Sequence, residues 1–192
     1  MRPTAALSQF IADTNFEDVP ANTVDAAKIA IMDGVAVMAA GSALRLSRIT
    51  GEYVHELGGT PQASVVGLGF RTNPPAAAFA NGVSGHALDF EIQGFPPTHG
   101  TSSCLPTALA LGESIGAGGK SVITAYTLGW EIQGRVRAAS AHAMNPAYHP
   151  PGLVGPLGGT AAGAKILGLD AAQVQMAFGI GASRTGGLTA NT

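Results

Sequence analysis

The stretch HALDFEIQGFPPTHG, residues 86–100, places His86, Asp89, Glu91 and His99 together with no Lys or Arg among them. His149 stands in a similar proline-containing turn, AYHPPGLVG. A carboxylate and two histidines are suited to moving protons near neutral pH. His99 and His149 each precede a candidate helix, and a helix N-terminus favours the neutral imidazole, which serves as a general acid/base or a neutral donor. Asp89, His99 and His149 are therefore candidates to converge where helix ends meet. The residues also allow a plainer reading, in which the segment is a solvated loop and His86 simply bonds to Asp89. The two lie three apart, on one face if helical. A metal is not expected, because a zinc site wants a third ligand nearby and a hard cation wants more carboxylates.

The elements that would carry these residues read as helices. ANTVDAAKIAIMDGVAVMAAG puts Val24, Ala27, Ile31, Val35 and Met38 at spacings of three and four, one helical face. Asn22 or Thr23 is the expected cap and Gly41 the expected end. LSRITGEYVHELGG predicts a shorter helix stopped at Gly58-Gly59. QASVVGLGFRT is the one β-like run and predicts a short extended segment or none. After Pro74-Pro75, AAAFANGVSGHALDF predicts a helix of small residues ending at Asp89. TSSCLPTALALGESIGAGG predicts the next, opened by His99, with Pro106 in its first turn. KSVITAYTLGWEIQGRVRAASA is a long helix carrying the Glu131–Arg135 pair. GLVGPLGGTAAGAKILG closes at Gly168, and Asp170 with Gln173 forms a capping box for AAQVQMAFGIGAS. Five or six helices with short links predict an all-α fold, a single helical domain over residues 1–192 with no sheet of more than two strands.

Bulk composition narrows the function classes. Of 192 residues, 46% are apolar and only 11% charged, with 27 glycines; about a quarter charged is usual. Few charges and many small residues predict a surface partly covered by other protein, either a second copy of the chain or a second polypeptide. A net charge of −2 gives no electrostatic case for nucleic acid or an anionic membrane. No apolar run is long enough to span a bilayer, and the N-terminus lacks a signal-peptide core. The one cysteine, Cys104, cannot form an internal disulfide. These features together predict a cytoplasmic location.

Other candidates for chemistry have bland explanations. His55 lies on a polar helix face, and His142 in ASAHAMNP reads as a helix-end histidine. Cys104 reads as a buried small hydrophobe. GAGGK lacks the Walker spacing, and GLVGPLGG follows no strand, so neither cradles a nucleotide.

NGVSGHALDFE, THGTSSCLPTALALGESIGAGGKSVITAYTLGWEIQGRVRAA and YHPPGLVGPLGGTAAGAKILGLDAAQVQMAFGIGAS, in this order, resemble the MmgE/PrpD family. AAKIAIMDGVAVMAAGS resembles its first helices. The family includes 2-methylcitrate dehydratase, cis-aconitate decarboxylase and iminodisuccinate epimerase. The resemblance implies a helical domain that dimerises, an α/β lid domain that is absent from this chain, and an active site between the two. It implies cofactor-free acid/base chemistry beside a carboxylate of a small polycarboxylic acid, by dehydration, decarboxylation or epimerisation. By motif, Asp89 matches the acid of a HALDFDD-like stretch. His99 matches the histidine of an HPS-like turn, and His149 that of an HPTG-like turn. Asp89 would take or hold a proton, His149 would act as general acid or base, and His99 would orient a substrate carboxylate. His86, Gln93 and Arg184 complete the candidate set as substrate contacts.

The chain departs from the family's pattern at DFEIQ, where Ile92 and Gln93 replace polar positions. It also reaches Thr192 before a GTMTK-like segment whose lysine is expected to grip substrate. The expectation is a fragment or one of two chains, inactive when isolated. The rival expectation is a non-catalytic helical scaffold or dimerisation subunit.

Overall fold

The computed structural model describes residues 2–191. Among the described residues it contains eight α-helices and one hairpin. They are α1 (Pro3–Asp13), α2 (Ala21–Gly41), α3 (Arg45–Leu57), β1 (Ala63–Val65), β2 (Phe70–Thr72), α4 (Pro74–His86), α5 (Gly100–Ile115), α6 (Gly119–Ser140), α7 (Pro150–Ile166) and α8 (Ala171–Ala182). The fold is all-α. The β-like run forms a two-stranded antiparallel pair, with Ala63 opposite Thr72 and Val65 opposite Phe70.

Most helix ends follow from local chemistry. Gly58 and Gly168 take positive φ (66° and 63°), which ends α3 and α7 in a backbone conformation that other residues adopt only with strain. Asp170 and Gln173 exchange both bonds of the expected capping box at the start of α8. Other ends differ from the sequence reading. Pro20, not Asn22 or Thr23, is the cap position of α2, with no side-chain bond. Pro106 lies in the interior of α5, so the Ser102 carbonyl loses its usual donor. The helix expected to reach Asp89 stops at His86, and Asp89 turns the chain with φ 52°, a conformation that Asp tolerates better than most residues. α1, which no pattern announced, packs against α8 and α7.

α5 is the central element, in contact with α2, α4, α6, α7 and β1. Its Cys104, Leu105 and Ala108 form one core with Met38, Ala125, Tyr126, Ala162 and Ile166. Small residues let the backbones come close. A Cβ on Gly129 of α6 would lie 2.9 Å from both Cys104 Sγ and the Gly158 carbonyl, and one on Gly158 of α7 would lie 2.7 Å from Gln133 Oε1. Each small side chain buries little area, so this junction depends on dense dispersion contact between backbones. A second core lies under the hairpin, around Val54, Val65 and Ala77. A third, around Ile11, Ile132, Val174 and Phe178, joins α1 and α8 to the rest. Among the described residues no single helix is long and apolar enough to cross a membrane.

Candidate active site

Three helix ends meet beside the 87–99 connection. α4 ends at His86, and His99 and His149 hold the cap positions of α5 and α7. Neither cap histidine uses its side chain to cap its helix. Both rings are therefore free to face the space between the helices. The His99 and His149 ring centroids are 6.4 Å apart, and those of His86 and His99 4.7 Å apart, edge to face. Asp89 Oδ1 lies 3.9 Å from His99 Nε2, on the outer side of the cluster, with its side chain largely exposed.

The residue at the centre is Glu91, which the sequence reading left without a role. Its side chain is fully buried. Oε1 accepts from His86 Nδ1 at 2.8 Å, and Oε2 accepts from the Ser102 backbone N–H at 2.6 Å, in the first turn of α5. His99 Nδ1 is 3.2 Å from the same Oε1, at an angle too bent for a formal hydrogen bond. The expected His86–Asp89 bond is thus replaced by a His86–Glu91 bond. The helix ends earlier than expected, and the turn at Asp89 sends that carboxylate outward while bringing Glu91 in. A signal was present in the sequence: a second acid within five residues of His86, in a chain with few charges.

Electrostatics follow from this packing. Burial works against the Glu91 carboxylate, but the bonds from His86 and Ser102 and the nearby His99 outweigh it, and its pKa lies below the usual 4.5. The bond to Glu91 raises His86 above the usual 6.5, against partial burial. His149 is lowered, first by burial and then by the neighbouring His99 and His86. The neutral form expected for His149 is therefore favoured, with burial as the main cause. Cys104, 0% exposed, has its thiol pushed up to about 12 by burial, as suits an inert packing residue.

The loop carrying His99 is fixed from beneath by α6. Gln133, wholly buried, donates to Thr98 Oγ1 and to the His99 carbonyl at 3.1 Å, and accepts from Ser103 Oγ at 2.8 Å. Trp130 packs flush against the loop backbone: a Cβ at Gly94 would fall 2.4 Å from its ring and one at Gly100 2.2 Å. From the other side, the 186–189 segment runs along the start of α7, with His149 N–H donating to the Gly187 carbonyl at 3.0 Å.

Gln93 and Arg184 are both exposed. Among the described residues no ion pair or side-chain hydrogen bond ties either to the histidine cluster. As for metals, His86, Glu91 and His99 hold ligand atoms within 4.8 Å of one another. In this arrangement the Glu91 oxygens are already engaged by a ring N–H and a backbone N–H.

The fold is all-α, with carboxylates and histidines gathered at adjoining helix ends. The MmgE/PrpD N-terminal domain matches residues 5–192, and the chain belongs to the MmgE/PrpD family. It is 32% identical to the human cis-aconitate decarboxylase over 175 residues, 88% of this chain and 36% of that protein. It is 38% identical to the mouse cis-aconitate decarboxylase over 128 residues, 64% of this chain and 26% of that protein. A cis-aconitate decarboxylase-like protein, oryM, of Aspergillus oryzae is 28% identical over 197 residues, 97% of this chain and 41% of that protein. The chain thus spans roughly a quarter to two fifths of the length of these relatives.

Proposed function

We propose that this chain forms the helical wall of a cofactor-independent lyase or isomerase. It would act on carbon next to a carboxylate of a small polycarboxylic acid. The observation that carries the reading is the meeting of Asp89, His99 and His149 at three adjoining chain turns, with His99 within 3.9 Å of Asp89 and 6.4 Å between the two imidazole rings. Chemistry beside a carboxylate needs a base, a proton donor and an offset for growing negative charge. His149, held neutral, takes a proton and in that form is a stronger acid than an ordinary imidazolium, so it can hand the proton on. Asp89 takes or holds a proton at the rim. His99 orients a substrate carboxylate, and His86 behind it, its pKa raised by Glu91, offsets charge when protonated. The names of the relatives favour decarboxylation as the first reaction to test. In that reaction the bond to the departing carboxylate breaks, its electron pair stays with carbon, carbon dioxide leaves and a protein group supplies the proton.

Binding is tested first, by following the His99 and His149 ring resonances as cis-aconitate and related polycarboxylates are added. Turnover is tested by proton NMR in deuterated water, with the protein alone and with any polypeptide that co-purifies. His149→Ala is expected to lower the rate by roughly 10²–10⁴ with an unchanged circular dichroism spectrum. The apolar Ile92, next to the buried Glu91, favours a second reading, a non-catalytic helical scaffold. Ring resonances indifferent to every polycarboxylate would select that reading and overturn the first.

A further inference from the structure

His99 is the residue before α5, the position whose side chain ordinarily accepts from the N–H groups of the first turn. Here the ring makes no such bond. The N–H of Ser102, the third residue of α5, goes instead to Glu91 Oε2 at 2.6 Å. A carboxylate from outside the helix therefore does the capping, and the cap residue's own side chain is released for other use. The N-terminal end of a helix also stabilises the buried negative charge. The other oxygen of Glu91 meets two imidazole nitrogens, His86 Nδ1 at 2.8 Å and His99 Nδ1 at 3.2 Å. His99 Nδ1 is buried and has no other partner among the described residues. A ring that turns Nδ1 to a carboxylate carries its proton there, which leaves Nε2 to face outward.

We propose that Glu91 is the positioning residue of this site: it caps α5 in place of His99, and fixes His99 with Nδ1–H inward and Nε2 toward Asp89. The inference deepens the proposed function and rests on it for the use made of Nε2, which must take up a proton before it can donate to a substrate carboxylate. The ring state itself does not depend on that reading. The other ionisable groups near Glu91 do not compete for this role. Cys104 and Tyr126 are both held neutral by burial, each pushed up to about 12. Asp89 approaches the opposite nitrogen of His99, and the His149 ring centroid lies 6.4 Å from that of His99. His86, half-exposed, supplies a counter-charge to the buried Glu91 when it is protonated.

The experiment is a pH titration of the histidine rings by nitrogen-15 NMR, on the whole protein and on Glu91→Gln. In the unaltered protein the neutral His99 ring is expected as the Nδ1–H tautomer, and His86 is expected to titrate above an ordinary histidine. Gln at position 91 still accepts from the Ser102 N–H, but presents an amide N–H or a neutral oxygen to the two rings. His86 should then titrate lower and His99 should become a mixture of tautomers. In the active assembly kcat should fall about 10²-fold with a smaller change in KM, the scale of a misplaced catalytic group. An Nε2–H tautomer for His99 in the unaltered protein overturns the proposal, even if the variant does not fold. Rings that behave as expected, with kcat unchanged in Glu91→Gln, overturn it too. If no polycarboxylate binds or turns over while the rings behave as expected, the proposed function fails and the ring assignment stands.

Discussion

Two residues with opposite shifts set the pH behaviour. His149 is lowered and His86 raised from the same ordinary value of 6.5. If neutral His149 is the base, kcat/KM should rise with pH through a point below that value and level off before neutrality. A pH–rate profile checks this; an acid limb centred above 6.5 would assign the base elsewhere. Stability should follow a different curve. The raised His86 contributes fully below 6.5, and its contribution is lost as pH rises through the higher folded-state value. The lowered Glu91 contributes fully above 4.5, and its contribution is lost as pH falls through the lower folded-state value. Both contribute in full only between these two ordinary values. Urea midpoints of the protein and of Glu91→Gln should therefore differ most in that window and approach each other on either side. His86 is nearly half exposed, so the difference is screened by solvent.

At the scale of elements, α6 does more for the site than its apolar pattern suggests. Gln133 links Thr98, His99 and Ser103 to one helix, and all its polar atoms are used. Gln133→Ala leaves the Thr98 hydroxyl without its partner, while Ser103 Oγ and the His99 carbonyl keep their mutual bond, and opens a cavity, an expected loss of about 2–4 kcal/mol. Equilibrium unfolding measures the loss, and amide exchange should show faster opening confined to the 94–104 stretch. Gly158→Ala should cost about 1–3 kcal/mol by overpacking, since its Cβ would press on Gln133 and Cys104. The helices themselves were largely legible in the sequence. Periodicity located α2 and α6, and punctuation by Gly58, Gly168 and the Asp170–Gln173 box located their neighbours' ends. The meeting of His99 with His149 was anticipated from two proline-containing turns, each with a histidine before a small-residue helix. What sequence could not supply was the turn after His86. A helix ending at Asp89 and one ending three residues earlier share a composition, yet only the second sends Glu91 inward. Gln133 escaped for a related reason: a glutamine on a helix reads as solvent-facing until its tertiary partners are known.

The whole molecule exposes more surface than its mass requires. Its accessible area is 9734 Å², against about 8,400 Å² for a globular monomer of this size. Large apolar side chains stand on this surface. Ile29 and Met32 on α2, Leu46, Ile49 and Tyr53 on α3, and Phe79 on α4 are all more than half exposed. Phe95 is 97% exposed at the mouth of a groove of about 700 Å³ between α2, the 92–98 loop and α6, floored by Tyr126 and Trp130. Only 11% of residues carry charge, so few charges offset these patches. Apolar surface on this scale is normally covered. We therefore propose that the chain associates, with a second copy of itself or with a second polypeptide. The groove and the histidine cluster share the 87–99 connection: Ile92, Gly94 and Thr98 line the groove, while Asp89, Glu91 and His99 form the cluster. A partner seated in the groove would therefore stiffen the loop that carries His99, and association should affect the site as well as the oligomeric state. Light scattering across micromolar concentrations should give a mass above that of one chain. Replacing Phe95 with Asp should lower that mass and weaken polycarboxylate binding together. A monodisperse monomer at the highest concentration would refute the association. A Phe95→Asp monomer with unchanged binding would separate the assembly from the site.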